Sequence, residues 1–245
     1  MIEINLSIVR QRIRVAAERS GRRFEDVQLV CVTKEATPDA VKEAIRCGVT
    51  DIGENRLQDA VEKYDDLGVW ASGHLGNPVS QFPSFPDAQM PRSPLKWHFI
   101  GHLQTNKVKK AVEIFDLIHS VDSFRLCEAI SREAAKINKT QDILIQVNTS
   151  GEKSKFGIEP KQTLDLIERL AQLNSVRVLG LMTIAPLVDD SEMARHCFRK
   201  LKQLSEELKN FFPQPVLSMG MSGDYEVAIQ EGSTMVRIGR AIFKN

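Results

Sequence analysis

The chain has 245 residues, with 33 basic against 32 acidic side chains, a formal charge of +1 and 42% hydrophobic residues. This balance excludes nucleic acid or an anionic membrane as a bulk electrostatic partner, and the length suits a core that needs no disulfide or metal staple. Cys31, Cys47, Cys127 and Cys197 are dispersed, the N-terminus is polar, and no apolar run approaches roughly 18 residues, so a cytoplasmic chain with free thiols and no membrane span is expected.

Ile2, Leu6, Val9, Ile13, Ala16 and Ala17 recur at spacings of three and four, one face of an N-terminal helix closed by Ser20 and Gly21. Strand-like and helix-like segments then alternate. A β-branched strand at 28–33 leads to a helix at 39–47 behind Thr37-Pro38, and a short strand at 51–53 leads to a helix at 57–67. From Gly68 to Leu95 the pattern stops. Glycines, serines and five prolines fill that stretch, which reads as an inserted surface loop. Alternation resumes with strands at 97–100, 117–121, 143–147, 178–182, 216–219 and 234–238, and helices at 104–112, 123–138, 160–173, 191–211 and 224–230. Eight strands with helical crossovers argue for an α/β fold, a single TIM-type (β/α)8 barrel over 1–245 with an extra N-terminal helix. An open doubly wound sheet is the competitor, but no G-x-G-x-x-G follows the first strand.

Barrel chemistry gathers at the C-terminal ends of the strands. There the sequence places Lys34, Glu54 and Asn55, His98 and Gly101, Asp122, Asn148, Met182 and Thr183, Met219 and Ser222, and Arg237. The segment Ser218-Met219-Gly220-Met221-Ser222-Gly223-Asp224 opens a helix, and free backbone N–H groups at such a start make a cup for a phosphate. Read alone, it is equally a tight turn before a helix. Lys34 alone is a solvated charge, and it becomes a Schiff-base candidate only if burial in the mouth depresses its pKa. Phosphate cup, arginine and strand-end lysine together point to pyridoxal 5′-phosphate (PLP). Arg237, if it faces the pyridine nitrogen, keeps that nitrogen unprotonated and makes the ring a poor electron sink. His98 and His102 stand four apart, but Gly101 interrupts a helix and no third ligand is evident, so no metal is expected.

The ordered segments Val32-Thr33-Lys34, Gly53-Glu54-Asn55-Arg56, Trp97 to Lys107, His119-Ser120-Val121-Asp122-Ser123, Lys155-Phe156-Gly157, Leu217 to Asp224 and Val236-Arg237-Ile238-Gly239 span nearly the whole chain. On these the chain resembles the YggS/PROSC family of PLP-binding proteins, the pyridoxal phosphate homeostasis proteins. The resemblance implies a barrel like the N-terminal domain of alanine racemase, with PLP on Lys34 and Arg237 at the ring nitrogen. It also implies that Ser222, Gly239 and the Arg240 backbone hold the phosphate, with Asn55 and His98 near the cofactor. Arg240 stands where the family usually has threonine, which removes a hydroxyl from that end of the site. Lys244 likewise replaces a usual glycine.

Two functions compete, and a third, an interaction hub acting through the Pro-rich loop, could coexist with either. The first is a non-catalytic regulator or carrier of PLP, monomeric, with apo-PLP enzymes or a regulatory protein as partners. The other is a fold-type III amino-acid racemase, which needs a second base such as a tyrosine from an added β-domain. The chain runs seven residues past Ile238, and Tyr64 and Tyr225 are its only tyrosines. The first reading is favoured because neither tyrosine is placed to serve as that base.

Overall fold

A computed structural model describes residues 1–71, 95–152 and 155–244. Its strands are β1 (Gln28–Val32), β2 (Asp51–Glu54), β3 (Lys96–Phe99), β4 (Leu117–Val121), β5 (Gln141–Gln146), β6 (Val176–Met182), β7 (Val216–Ser218) and β8 (Met235–Ile238). They pair in parallel in chain order, and β1 closes on β8 with Gln28 opposite Met235 and Cys31 opposite Ile238. The fold is the expected closed barrel. The β7–β8 seam is thin, paired at Ser218 and Met235, and the Ser233 hydroxyl supports it against Met219 O at 2.7 Å.

The helices among the described residues are α1 (Ile2–Arg19), α2 (Pro38–Arg46), α3 (Leu57–Ala71), α4 (Val108–Ile114), α5 (Phe124–Lys136), α6 (Thr163–Leu170), α7 (Arg195–Glu207), α8 (Tyr225–Gln230) and α9 (Arg240–Phe243). Thr37 caps α2 and Ser123 caps α5, each side-chain oxygen accepting an orphan N–H of the first turn. Several expected helices open with a 3-10 turn instead, at Thr105–Lys107, Pro160–Gln162 and Ser191–Ala194. Of the Gly/Pro-rich loop expected at 68–95, α3 backbone covers its start through Ala71, Leu95 is buried, and 72–94 lie outside the described residues.

Each strand is buried on both faces. Outward side chains such as Cys31, Ile52, Phe99, Ile118, Ile145, Leu217 and Val236 pack against the helices. Inward ones, Val30, Leu117, Leu144, Met182 and Met235, fill the barrel with a smaller apolar cluster. Leu179, Ile184 and Val216 pack against that cluster, and several other inward positions, Asp51, His98, His119, Ser218 and Arg237 among them, are polar. Helix α1 lies along α8 and α9: Leu6, Val9 and Ile13 are buried, and Asn5 Nδ2 donates to Ile242 O at 2.9 Å. The extra N-terminal helix therefore braces the two short helices that frame the site.

Candidate functional site

The end of β1 is set by a buried cluster. Thr33 Oγ1 donates to Glu54 Oε1 at 2.5 Å, and Lys63 Nζ bridges Glu54 Oε1 at 2.7 Å and Thr33 O at 2.5 Å. The next residue, Lys34, leaves the strand at the mouth. Its side chain is 42% exposed and its Nζ lies 3.8 Å from Glu35 Oε1. The burial on which its candidacy partly rests is therefore not found: Lys34 stands in an exposed turn that the Ala36 N–H closes on Thr33 O at 2.9 Å. Glu35 also meets Lys244 Nζ at 2.9 Å, and that lysine holds its carboxyl below the usual range.

Across β8, the phosphate-cup segment follows β7. Gly220 turns the chain at φ 96°, a region that favours glycine, and the Arg237 N–H holds its carbonyl at 3.0 Å. Asp224 does not face into the cup. Its Oδ1 accepts the Met221 N–H at 2.6 Å, so the carboxylate clasps the loop ahead of α8. Ser222 Oγ accepts the Ala241 N–H at 3.3 Å, which joins this loop to the start of α9. The backbone N–H groups of Ser222, Gly223, Gly239 and Arg240 donate to no acceptor among the described residues. A Cβ at Gly239 would lie 2.8 Å from Val32 O, so only glycine lets α9 start this close to β1. Four unused donors at two adjoining helix starts fit a phosphate. Arg240 contributes its backbone, and its side chain is exposed.

Arg237 lies inside the barrel and is 4% exposed. Nη1 donates to Ser218 Oγ at 2.5 Å and Nη2 to Thr183 O at 2.9 Å. Burial pulls its pKa down to about 10, so it remains charged near neutrality. Among the described residues no carboxylate pairs with it directly, and its Nε–H donates to no acceptor.

The remaining expected residues divide. Asn55 stands directly after β2 with a buried Oδ1 that has no partner among the described residues. His98 does not open onto the mouth: Nε2 pairs with Asp51 Oδ1 and Nδ1 with His119 Nε2, both at 2.9 Å. Met219 is fully buried in the outer core, with its N–H on Met235 O, and closes the base of the loop. Asn148 spends its amide folding the β5–α6 loop onto Glu152 O and Lys155 O. His102 stacks on Phe156 at 3.9 Å and lies 4.0 Å from Asp122 Oδ2, forming one wall of the mouth. Burial raises the Asp122 carboxyl. Among the described residues no group of His, Cys, Asp or Glu is placed to hold a metal. Sequence reasoning missed Ser218, Thr183, His119 and Asp51 as partners, and the one available signal was polar residues on the inward register of apolar strands.

Residues 4–245 match the family described as alanine racemase, N-terminal domain. The pyridoxal phosphate homeostasis protein of Aquifex aeolicus is 42% identical over 240 residues, which cover 97% of this chain and 95% of that protein. The chain belongs to the pyridoxal phosphate homeostasis protein family. The chain is also similar to PipY of Synechococcus elongatus, a COG0325 family member solved with PLP bound. It is 32% identical, with a TM-score of 0.79 over 99% of this chain and 100% of that one. Alanine racemase of Clostridium difficile shares the fold at 14% identity, with a TM-score of 0.70 over 100% of this chain and 56% of the racemase.

Proposed function

We propose that this member of the family binds PLP at the C-terminal mouth of the barrel, and holds and releases it within the balance of PLP and of amino and keto acids. The observation that carries the reading is the cradle of four unused N–H donors at the starts of α8 and α9, one strand from a charged arginine and two from a lysine. When bound, PLP supplies an aldehyde that condenses with a primary amine with loss of water, and a ring that draws electrons best with its nitrogen protonated. Lys34 supplies the amine. Ser222, Gly223, Gly239 and Arg240 take the phosphate through backbone N–H groups, and the Ser222 hydroxyl still has a proton to donate. Arg237, always charged and with donors to spare, is the residue for the ring nitrogen, which it keeps unprotonated.

A regulator or carrier is favoured over a racemase by where the tyrosines lie. Tyr64 packs edge-to-face on Trp97 outside the barrel, and Tyr225 is buried beside α1. Neither reaches the mouth to move a proton. Titration of the unloaded protein with PLP should develop a visible band with saturation at one equivalent, while racemisation of L-alanine stays at the level of free PLP. No saturable binding would refute the binding site, and a turnover of about 1 per second would establish the racemase.

A further inference from the structure

Several polar side chains inside the barrel form one continuous line. Gln28 Nε2 donates to Asp51 Oδ1 at 2.7 Å and Thr50 Oγ1 to Asp51 Oδ2 at 2.7 Å, at the N-terminal end of the strands. From there the line runs Asp51 to His98 at 2.9 Å, His98 to His119 at 2.9 Å, His119 to Ser218 at 2.9 Å, and Ser218 to Arg237 at 2.5 Å. Every member is nearly or fully inaccessible: Asp51 is 5% exposed, His98 2%, His119 0%, Ser218 0% and Arg237 4%.

The two ends fix the order of protons between them. A carboxylate only accepts, so His98 presents Nε2–H to Asp51. A neutral His98 then accepts at Nδ1 from His119 Nε2–H. His119 in turn accepts at Nδ1 from the Ser218 hydroxyl, which leaves the serine oxygen to accept from Arg237. Each donor in the line is used once and each acceptor is filled. The reverse order, reached by protonating His98, would leave the buried Ser218 hydroxyl without an acceptor in the line and add a second buried cation to it.

We propose that Asp51, His98, His119 and Ser218 are positioning residues that tie the Arg237 guanidinium to a carboxylate at the far end of the barrel through a line of neutral groups with a single proton order. The nearest charge acting on the arginine is Asp224 on the loop ahead of α8, and the line occupies only Nη1 on its inner side, so the guanidinium keeps donors free for the site. Burial, reinforced by the charge of Arg237, holds the His119 pKa well below its ordinary value. Burial alone would raise Asp51, but hydrogen bonds from His98 and Thr50 and the charge of Lys96 outweigh it and keep the carboxylate ionised. Such a line behaves as a unit, since each bond polarises the next.

The proton order can be tested in the unloaded protein, independently of the PLP reading on which the role of Arg237 rests. In 15N-histidine NMR at about pH 7, both rings should be neutral and protonated at Nε2. An Nδ1–H tautomer or an imidazolium at either ring would overturn the proposal. Asp51→Asn removes the terminal charge, and should move the ring nitrogens of His98 and His119 towards averaged values. In the PLP-loaded protein it should shift the visible band in the same direction as Arg237→Ala. Asp116→Asn, which perturbs the same end of the barrel at the Trp97 N–H, should leave both signals unchanged. Equal shifts in the two variants, or none in Asp51→Asn, would reduce the line to packing. If Asp51→Asn does not fold, the wild-type tautomers decide.

Discussion

At Ser222 the hydroxyl oxygen already accepts from Ala241, so its own proton is the one left to give. A hydrogen bond to a charged phosphate contributes about 1.5–3 kcal/mol, so Ser222→Ala should weaken PLP binding by roughly ten- to a hundredfold in equilibrium titration. An unchanged affinity would show that the backbone cradle suffices alone. His119 makes a different prediction. It is buried neutral, with a folded pKa far below its unfolded value of about 6.5. Above that pH neither state binds the extra proton, and nothing is gained or lost. As pH falls below it the unfolded chain takes up a proton that the fold refuses, which costs about 1.4 kcal/mol per pH unit. Urea midpoints should therefore decline between about pH 6.5 and 5, before the carboxylates titrate, and His119→Gln should flatten that decline. A parallel decline in both proteins would contradict the neutral ring. None of these pairings was visible in the chain itself. His119 and Ser218 are 99 positions apart, and each is a single polar residue in an apolar strand. The exposure of Lys34 was equally hidden, because a strand-end position does not say which way the chain turns next.

Among the elements, α1 links the barrel to the site. It packs on α8 and α9, and its Asn5 holds the Ile242 carbonyl of α9. Leu6→Ala opens a fully buried position and should lower stability by about 2–5 kcal/mol in denaturant melts. Asn5→Ala should cost only about 1 kcal/mol of stability, yet reduce PLP affinity severalfold by loosening α9. Unchanged affinity in Asn5→Ala would mean that α9 holds its place without α1. The strands and most helices could be read from periodicity, since parallel strands covered on both faces are near-continuous apolar runs. Helix α9 could not: four residues carry no period. The opening 3-10 turns were also missed, because helical spacing does not distinguish a tight first turn from an α-helical one.

For the whole molecule, the barrel separates two tasks. Its outer shell of aliphatic and aromatic contacts supplies stability, while a buried polar line runs to one end that carries an N–H cradle, which under the proposed function receives a phosphorylated aldehyde. The cradle was legible as a glycine- and serine-rich loop before a helix, and Arg237 as a polar end to an apolar strand. The line behind Arg237 required the closed barrel, since only closure brings β2, β3, β4, β7 and β8 around one axis. The central claim is that this mouth holds PLP on Lys34. Borohydride reduction of the PLP-loaded protein followed by peptide mapping tests it most directly. A pyridoxyl group on Lys34, absent in Lys34→Ala, is the expected result, and recovery of the label on Lys107 or another lysine would contradict it.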